Sequence, residues 1–300
     1  MKEKYLWYTD THFDKVMPWT LLRFLRHVRK ENPKGIFLTG DISNGFMTTL
    51  HLRMLARVAK CPIYFVLGNH DYHFSSIKKR HQQMRELCRK FPNLIWMTES
   101  DVVALTPEVA VIGTEGWYDA QLGNPKYLKM TLDWMLTENF RSLPDMEARI
   151  AKFRELAEQS CQILADKLEK ALEQDFKTIY ILTHFPPWKE ATRDEGTLLE
   201  EYYLPYNVNL RLGQTIEKIM AERNMHQAVE EEEDYDDWFG EGFSFDFVRE
   251  AKENAKATPD YIELKKKSCG HTCTKCREFY PYAEVNQEDG TFKCWGCRNF

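Results

Sequence analysis

The sequence predicts an α/β fold in which helices cover a buried sheet. Three observations support this prediction: short apolar runs recur along the chain, these runs are continuous rather than alternating, and amphipathic stretches separate them. A continuous apolar strand is typical of a sheet that is buried on both faces. Strands that alternate with helices indicate a layered α/β arrangement.

Five runs of apolar, β-branched or aromatic residues are predicted to be strands. Each is four or five residues long, which suits a short buried strand. The five are Tyr5–Tyr8 (YLWY), Gly35–Leu38 (GIFL), Ile63–Leu67 (IYFVL), Val109–Ile112 (VAVI) and Thr178–Leu182 (TIYIL).

Amphipathic stretches between these runs are predicted to be helices. Trp19–Val28 and Leu50–Val58 are short examples, and Asp145–Leu172 is the clearest one. In the last stretch, apolar residues recur every three or four positions from Met146 onward, which places them on one face of a helix.

Length and charge place limits on the class of protein. Three hundred residues suffice for one large domain and a small appendage, or for two medium-sized domains. The net charge is −5, and the run from Glu230 to Asp237 (EEEEDYDD) alone contributes seven acids. The remainder then carries about +2, so the balance gives no sign of a strongly basic nucleic-acid-binding protein, although it leaves room for a local basic groove.

The N-terminus and the cysteines indicate a reducing compartment. The segment MKEKYLWYTDTHFDK has no long apolar region, and no stretch approaches 18 apolar residues, so we expect a cytoplasmic protein with no membrane partner. Cys61, Cys88 and Cys161 are scattered and are predicted to be reduced thiols. Five further cysteines lie in the last 32 residues, where a cluster suggests metal rather than disulfides.

Polar side chains follow four of the predicted strands at the point where each strand ends. In open α/β sheets this edge is where ligands bind. Four groups of this chemical kind at equivalent positions are difficult to attribute to turn capping alone. The residues are Asp10 and His12 after the first strand, Asp41 after the second, Asn69, His70 and Asp71 after the third, and His184 after the last.

The residue types indicate a site for two divalent ions. Carboxylate, imidazole and amide ligands together suit manganese, iron or zinc. A carboxylate can bridge two ions, and two ions about 3.5–4 Å apart can clamp a phosphate and activate a water. We assign the bridging position to Asp41. Four other histidines, His27, His51, His73 and His81, have no partner pattern and are predicted to be surface or core residues.

The motifs DTH, GDISN, GNHD and THFPP, in this order, resemble those of the calcineurin-like metallophosphoesterases over residues 1–226. The resemblance implies a four-layered α/β/β/α sandwich and a hydrolase that acts on phosphoric esters. It implies that Asp10 and His12 bind the first ion, that Asn69 and His184 bind the second, and that Asp41 bridges both. The family often has Asp where Asn44 stands.

The same resemblance implies a mechanism. His70 would approach the phosphate and protonate the leaving oxygen, and Asp71 would orient His70. A metal-bound hydroxide would be the in-line nucleophile, so no covalent intermediate is expected.

The sequence departs from the family at the end of the site, which the family closes with Gly-His-x-His. The only Gly-His here is Gly270-His271, 87 residues beyond His184. In one interpretation a long insertion intervenes, and His271 returns to the second ion with Cys273 near the first. In the other, which we favour, His271 belongs to a separate C-terminal module, and the metal site lacks one or two ligands. Metal affinity and turnover would then be impaired, or a partner or His226 would compensate.

The C-terminal cysteines have the spacing of a structural zinc site. Cys273 and Cys276 form one pair, Cys294 and Cys297 form another, and 17 residues separate the pairs. Cys269 or His271 could replace one of these ligands. We therefore divide the chain into a phosphoesterase domain at 1–226, an acidic linker or arm at 227–268, and a zinc-ribbon-like module at 269–300.

The leading functional hypothesis is a phosphoesterase with two divalent ions and a C-terminal zinc ribbon. The alternative is a non-catalytic or weakly active scaffold of the same fold, whose acidic arm and ribbon bind a protein or nucleic-acid partner. A nuclease is a narrower third hypothesis, and the absence of a broad basic surface argues against it. The substrate class stays open between small phosphomonoesters, nucleotides and nucleic acid.

Overall fold

A computed structural model describes residues 4–194, 197–198 and 200–233, together with the short segments 271–272 and 279–280. The elements of the first half are β1 (Tyr5–Tyr8), α1 (Pro18–Glu31), β2 (Gly35–Thr39), α2 (Phe46–Val58), β3 (Ile63–Val66), α3 (Ile77–Lys90), β4 (Leu94–Trp96), β5 (Val103–Thr106) and β6 (Val109–Gly113). Those of the second half are α4 (Asp133–Leu136), α5 (Glu138–Arg141), α6 (Met146–Glu173), β7 (Thr178–Leu182), β8 (Arg193–Asp194), β9 (Thr197–Leu198), α7 (Leu210–Glu233), β10 (His271–Thr272) and β11 (Phe279–Tyr280).

The first sheet is parallel, with the strand order β1-β2-β3-β4. Its central strands, β2 and β3, are buried along their whole length. Successive side chains of a strand point to opposite faces. Ile36 and Leu38 therefore pack against α1, α2 and α3, together with Leu25 and Leu52 from those helices.

The second sheet has the order β5-β6-β7 and is mixed, because β6 pairs with β5 in antiparallel and with β7 in parallel orientation. One of its faces is covered by α6 and α7. Ile112 of β6 packs there with Leu164 and Leu168 of α6 and with Leu212 and Ile216 of α7.

The two sheets pack face to face. Phe37 and Tyr64 of the first sheet lie in one buried cluster with Val111 and Leu182 of the second. The order of the layers is thus helices, sheet, sheet, helices, which is the order that the resemblance implied. The predicted α/β fold is confirmed.

The predicted strands match the observed ones to within one residue at each end, but not all have the expected burial. β1 and β7 are edge strands, and Trp7 and Tyr180 are each 49% exposed. The prediction that every run is buried on both faces is therefore wrong for these two strands. β4 and β5 were not predicted. β4 is only three residues long, which is too short for a clear apolar run. β5 has one exposed and three half-buried residues, so it differs from the buried strands β2 and β3.

The predicted helices Trp19–Val28, Leu50–Val58 and Asp145–Leu172 are present: α1 and α2 extend beyond the predicted bounds, and α6 is shifted by one residue. In α6, Asp145 is the N-cap residue, and its side chain accepts a hydrogen bond from the backbone nitrogen of Ala148 at 2.8 Å. α7 continues to Glu233, past residue 226, where we placed the end of the first domain. The first four acids of the acidic run therefore lie within a helix.

Among the residues beyond α7 that the structure describes, β10 pairs with β11 in antiparallel orientation. The backbone of His271 lies in this pair, with Tyr280 opposite it. The cysteines predicted to bind zinc, Cys273, Cys276, Cys294 and Cys297, lie outside the described residues. In the part of the chain that the structure describes, no helix combines the length and the apolar character needed to cross a membrane.

Candidate metal centre

The candidate site lies where β1, β2, β3 and β7 end. Asp10 follows β1 by two residues, Asp41 follows β2 by two, and His184 follows β7 by two. Asn69 begins the 3-10 turn that comes after β3. Parallel strands end at the same edge of a sheet, and the packing of the two sheets adds the edge of β7 to it. The predicted convergence of these segments is observed.

Asp41 lies at the centre of the site and is only 4% exposed. Its Oδ2 atom is 3.5 Å from Nε2 of His12 and 3.7 Å from Nε2 of His70. Its Oδ1 atom is 3.4 Å from Nε2 of His184 and accepts a hydrogen bond from the backbone nitrogen of His70 at 3.0 Å. The two carboxylate oxygens therefore face different histidines.

Two groups of candidate ligands share Asp41. In the first, His12 and His70 join it, and in the second, Asp10 and His184 join it; in each, the candidate ligand atoms lie within 4.8 Å of one another. Oδ1 of Asn69 is 3.2 Å from Nε2 of His184 and so lies on the side of the second group. The resemblance implied that Asp10 accompanies His12, whereas this grouping places Asp10 with His184.

The loops of the site hold three ligand residues in an uncommon backbone conformation. The φ angles are 50° at Asp10, 37° at His12 and 50° at Asp41, all in the left-handed region. A non-glycine residue there costs on the order of 1 kcal/mol and is often associated with a functional site. Two hydrogen bonds tie the loops together: Asp10 N donates to Gly40 O at 3.1 Å, and His12 N donates to Asp41 O at 3.0 Å.

Two glycines let the loops approach closely. Gly40 has a φ of 89°, and a Cβ atom there would lie 2.6 Å from Nδ1 of His184. A Cβ atom on Gly68 would lie 2.5 Å from the backbone nitrogen of Asp41 and closer still to its carboxylate. The glycines of the GDISN and GNHD motifs are therefore required by the packing of the ligands against one another.

The titration of the ligands reflects burial and crowding. Burial, together with repulsion from neighbouring cationic groups, lowers the pKa of His12 to about 2 and that of His70 to about 4. Burial raises the pKa values of Asp10 and Asp41. Burial alone would lower the pKa of His184, but the carboxylates of Asp41 and Asp10 raise it. The neutral imidazoles of His12 and His70, beside crowded carboxylates, are a favourable environment for a cation.

The ring of His184 is fixed by its second nitrogen. Its Nδ1 atom lies 2.9 Å from the carbonyl oxygen of Thr39, which can only accept, so Nδ1 carries the proton. Nε2 is then the nitrogen directed at Asp41, with its lone pair available to a metal in the neutral ring. This is the arrangement in which metal-binding histidines are usually held.

His70 is oriented by Asn44 rather than by Asp71. Its Nδ1 atom is 3.1 Å from Oδ1 of Asn44. Asp71 instead accepts hydrogen bonds from the backbone nitrogens of Ile42, Ser43 and Gly68 and from the hydroxyl group of Thr48. Asp71 is buried, and within the described residues it makes no hydrogen bond to the His70 ring. The orienting role expected of Asp71 is therefore not seen, and this carboxylate instead ties the two loops together.

Three residues that surround the site, Asp14, His73 and Asp133, were not predicted from the sequence to belong to it. Asp14 accepts hydrogen bonds from the backbone and side-chain nitrogens of Asn44 at 3.0 and 2.8 Å. Nδ1 of His73 is 3.1 Å from Oδ1 of Asn44, and Nε2 of His73 is 2.7 Å from Oδ1 of Asp133. His73 is thus a core histidine, as predicted, but it has partners. Only the position of Asp14, two residues after His12, offered any signal.

The residues present fit two divalent cations. A buried carboxylate with each oxygen toward a separate ligand group, surrounded by imidazoles, a second carboxylate and an amide oxygen, matches the preferences of manganese, iron or zinc. Nδ1 of His12 is buried and has no hydrogen-bond partner among the described residues, so this ring is not held in the manner of His184.

A comparison with curated proteins finds a distant relative. The chain is 23% identical over 169 residues to an uncharacterized protein of Acanthamoeba polyphaga mimivirus, in a match that covers 53% of this chain and 58% of that relative. The chain therefore spans little more than half the length of the curated relative that it matches.

The chain also matches two solved structures, of which the first reaches a TM-score that indicates a shared fold. A phosphopantetheinyl hydrolase from Mycobacterium tuberculosis has a TM-score of 0.50 and 13% identity, with 69% of this chain and 76% of that chain covered. A dimetal phosphatase from Danio rerio has a TM-score of 0.41 and 13% identity, with 72% and 76% covered.

A family model accounts for most of the chain. The model of the calcineurin-like phosphoesterases matches residues 4–213, which include every candidate ligand from Asp10 to His184. The match and the site agree, and the chain belongs to the calcineurin-like phosphoesterase family.

Proposed function

We propose that this protein is a metal-dependent phosphoesterase that hydrolyses a phosphate ester at a pair of divalent ions. The observation that carries the proposal is the carboxylate of Asp41, whose two oxygens face two separate groups of ligands. A bridging carboxylate of this kind is what a two-ion site requires. Manganese, iron and zinc all suit the ligands, and we choose manganese for the tests.

The ligands would be divided between the two oxygens of Asp41. His12 lies on the side of Oδ2, and His184 and Asn69 lie on the side of Oδ1. Asp10 is near enough to Asp41 and His184 to complete a group. When bound, the ions would supply positive charge against the phosphate and would make a water acidic enough to attack phosphorus in line with the leaving group.

His70 is the residue that we assign to the leaving group. The side-chain nitrogen of Asn44 donates to Asp14, so Oδ1 of Asn44 can only accept, and Nδ1 of His70 must be the donor. The other nitrogen, Nε2, then faces Asp41 and the reaction site. The negative charge of a bound phosphate raises the pKa of an imidazole beside it, so His70 would take up a second proton at Nε2 with the substrate. That proton would pass to the leaving oxygen as the ester bond breaks, and the ring would return to its neutral form. No covalent intermediate with the protein is required.

The hydrolysis of p-nitrophenyl phosphate by the full chain tests the proposal. We expect activity that increases on addition of Mn²⁺ and that falls at least about 100-fold in Asp41→Asn, since this change removes the charge of the bridging ligand. Asp101→Asn is the matched control: the same chemical change at an exposed carboxylate that pairs with Lys170 on the surface. Unchanged turnover in Asp41→Asn would reject the proposed function.

We also propose that the C-terminal cysteines, Cys273, Cys276, Cys294 and Cys297, bind one structural zinc ion. The spacing of the two pairs supports this proposal. Four protein ligands leave no open coordination position, so this ion would have no part in hydrolysis. A ribbon of this size would offer a surface to a protein or nucleic-acid partner.

A further inference from the structure

A buried carboxylate lies directly behind one of the candidate metal ligands. Asp133 is the first residue of α4, and it is only 1% exposed. Its Oδ1 atom accepts a hydrogen bond from Nδ2 of Asn69 at 2.8 Å and lies 2.7 Å from Nε2 of His73. Its Oδ2 atom accepts hydrogen bonds from the hydroxyl groups of Tyr118 at 3.0 Å and Thr131 at 2.8 Å. Four contacts from three other segments thus fix this carboxylate.

The contact with Asp133 decides which end of the Asn69 amide faces the site. A carboxylate can accept hydrogen bonds but cannot donate them, so the nitrogen end of the amide must turn toward Asp133. The oxygen end is then directed the other way, and Oδ1 of Asn69 lies 3.2 Å from Nε2 of His184. Only the oxygen of an amide binds a metal ion, and an amide that rotated by half a turn would present two hydrogens instead.

The three remaining partners of Asp133 make it a rigid support. Tyr118 and His73 are themselves buried, at 0% and 1% exposure. Nδ1 of His73 faces Oδ1 of Asn44, which joins the support to the loop that orients His70. Donor groups of Asn69, Tyr118 and Thr131 converge on the two oxygens of Asp133, so this carboxylate acts as a hydrogen-bond acceptor.

We propose that Asp133 is a positioning residue for the second metal ion: it fixes the amide of Asn69 so that the oxygen atom points at the ion. This inference rests on the proposed function, because it presumes the two-ion site. Asp133 would contact neither ion nor substrate. Carboxylates that hold a metal ligand in place typically contribute about 10–100-fold to metal affinity.

The test compares Asp133→Leu, Asp133→Asn and Thr131→Val by calorimetric titration of the full chain with Mn²⁺. Leucine has a similar size but no acceptor, so we expect one of the two ions to bind about 10–100-fold more weakly and the other to bind as in the wild type. Asparagine keeps an acceptor when its nitrogen turns toward the two hydroxyl groups, so we expect an intermediate loss of about fivefold for the same ion. Thr131→Val removes a donor from the opposite oxygen of Asp133 and should leave both affinities within about twofold.

The outcomes separate this inference from the proposed function. If the wild type binds no pair of Mn²⁺ ions, both fail. If the wild type binds the pair and Asp133→Leu binds it equally well, only the inference fails. If the role of Asp133 were purely structural, Asp133→Leu would weaken the binding of both ions, or Thr131→Val would weaken binding as much as Asp133→Leu does. Either result would overturn the inference. Thermal unfolding establishes that each variant is folded, and if Asp133→Leu is not, the selective loss expected of Asp133→Asn decides the matter.

Discussion

Gly68 packs so closely against Asp41 that a Cβ atom on Gly68 would lie 2.5 Å from the backbone nitrogen of Asp41. The φ angle of Gly68 is −101°, which any residue can adopt. The glycine is therefore required by space rather than by backbone conformation. Any side chain at Gly68 would displace the carboxylate of Asp41, which faces both groups of ligands.

We predict that Gly68→Ala impairs the metal site with little change in the backbone. The methyl group must push Asp41 away from His12 and His184, so we expect Mn²⁺ to bind at least about 10-fold more weakly in calorimetric titration. Gly35→Ala is the control, because its methyl group would meet the ring of Tyr5 at the start of β2, the opposite end of that strand from Asp41. Equal Mn²⁺ affinity in the two variants would contradict this interpretation of Gly68.

We predict that Asp71→Ala destabilises the fold. The variant leaves three backbone nitrogens, those of Ile42, Ser43 and Gly68, and the hydroxyl group of Thr48 without their acceptor. We expect the free energy of unfolding, measured with urea, to fall by about 2–4 kcal/mol. In a surface control, Asp101→Ala, the change should stay within about 0.5 kcal/mol. A stable Asp71→Ala variant would show that water replaces this acceptor without cost.

We predict a pH-dependent contribution from Lys167. Its buried Nζ atom donates to the carbonyl oxygens of Met97, Thr98 and Gly113, and burial lowers the pKa of Lys167 from 10.5 to about 8. Between these two values the unfolded chain binds more protons than the folded chain, so stability rises with pH. The contribution is complete above pH 10.5 and is lost as the pH falls to about 8.

Urea unfolding of the wild type and of Lys167→Met across this pH range measures the contribution. Lys167→Met should be less stable throughout, because three carbonyl groups lose a donor. The gap between the two proteins should widen by up to about 3 kcal/mol from pH 8 to pH 10.5. Other titrating groups cancel in this difference. A constant gap would show that Lys167 keeps its ordinary pKa in the folded protein.

We predict that the C-terminal zinc ion is independent of the phosphoesterase site. Elemental analysis of a variant with both Cys294→Ser and Cys297→Ser should show the loss of one zinc per chain, and its titration with Mn²⁺ should match that of the wild type. His271→Ala distinguishes the two interpretations of the Gly-His sequence. Weaker Mn²⁺ binding in His271→Ala would mean that His271 returns to the second ion.

The strands and the ligands were predictable because each has a local signal. β2 and β3 are short, apolar and buried, and a run of that kind is visible in the sequence. The ligands stand directly after such runs, so their convergence follows from the parallel order of the strands. The positions of β1 and β7 at the edges of their sheets were not predictable. Strand pairing decides which strands are at an edge, and the residues of a short apolar run do not indicate its partners.

The support around the ligands was not predictable for a related reason. Asp133 contacts Asn69 and His73, about 60 residues earlier in the chain, and it lies at the start of a four-residue helix with no motif. The orienting role of Asn44 was equally hidden, because the choice between Asn44 and Asp71 depends on which loop the His70 ring faces. Contacts between distant loops become visible only in three dimensions.

The hydrogen bond from His184 to the carbonyl oxygen of Thr39 joins the end of β7 in one sheet to the end of β2 in the other. An ion held by both His184 and Asp41 would add a second link between the same two sheets. Binding of the cation would then stabilise the folded protein by mass action. A chelator should therefore lower the melting temperature, and added Mn²⁺ should restore it. During synthesis, the set of ligands stays incomplete until His184, which follows β7, has left the ribosome.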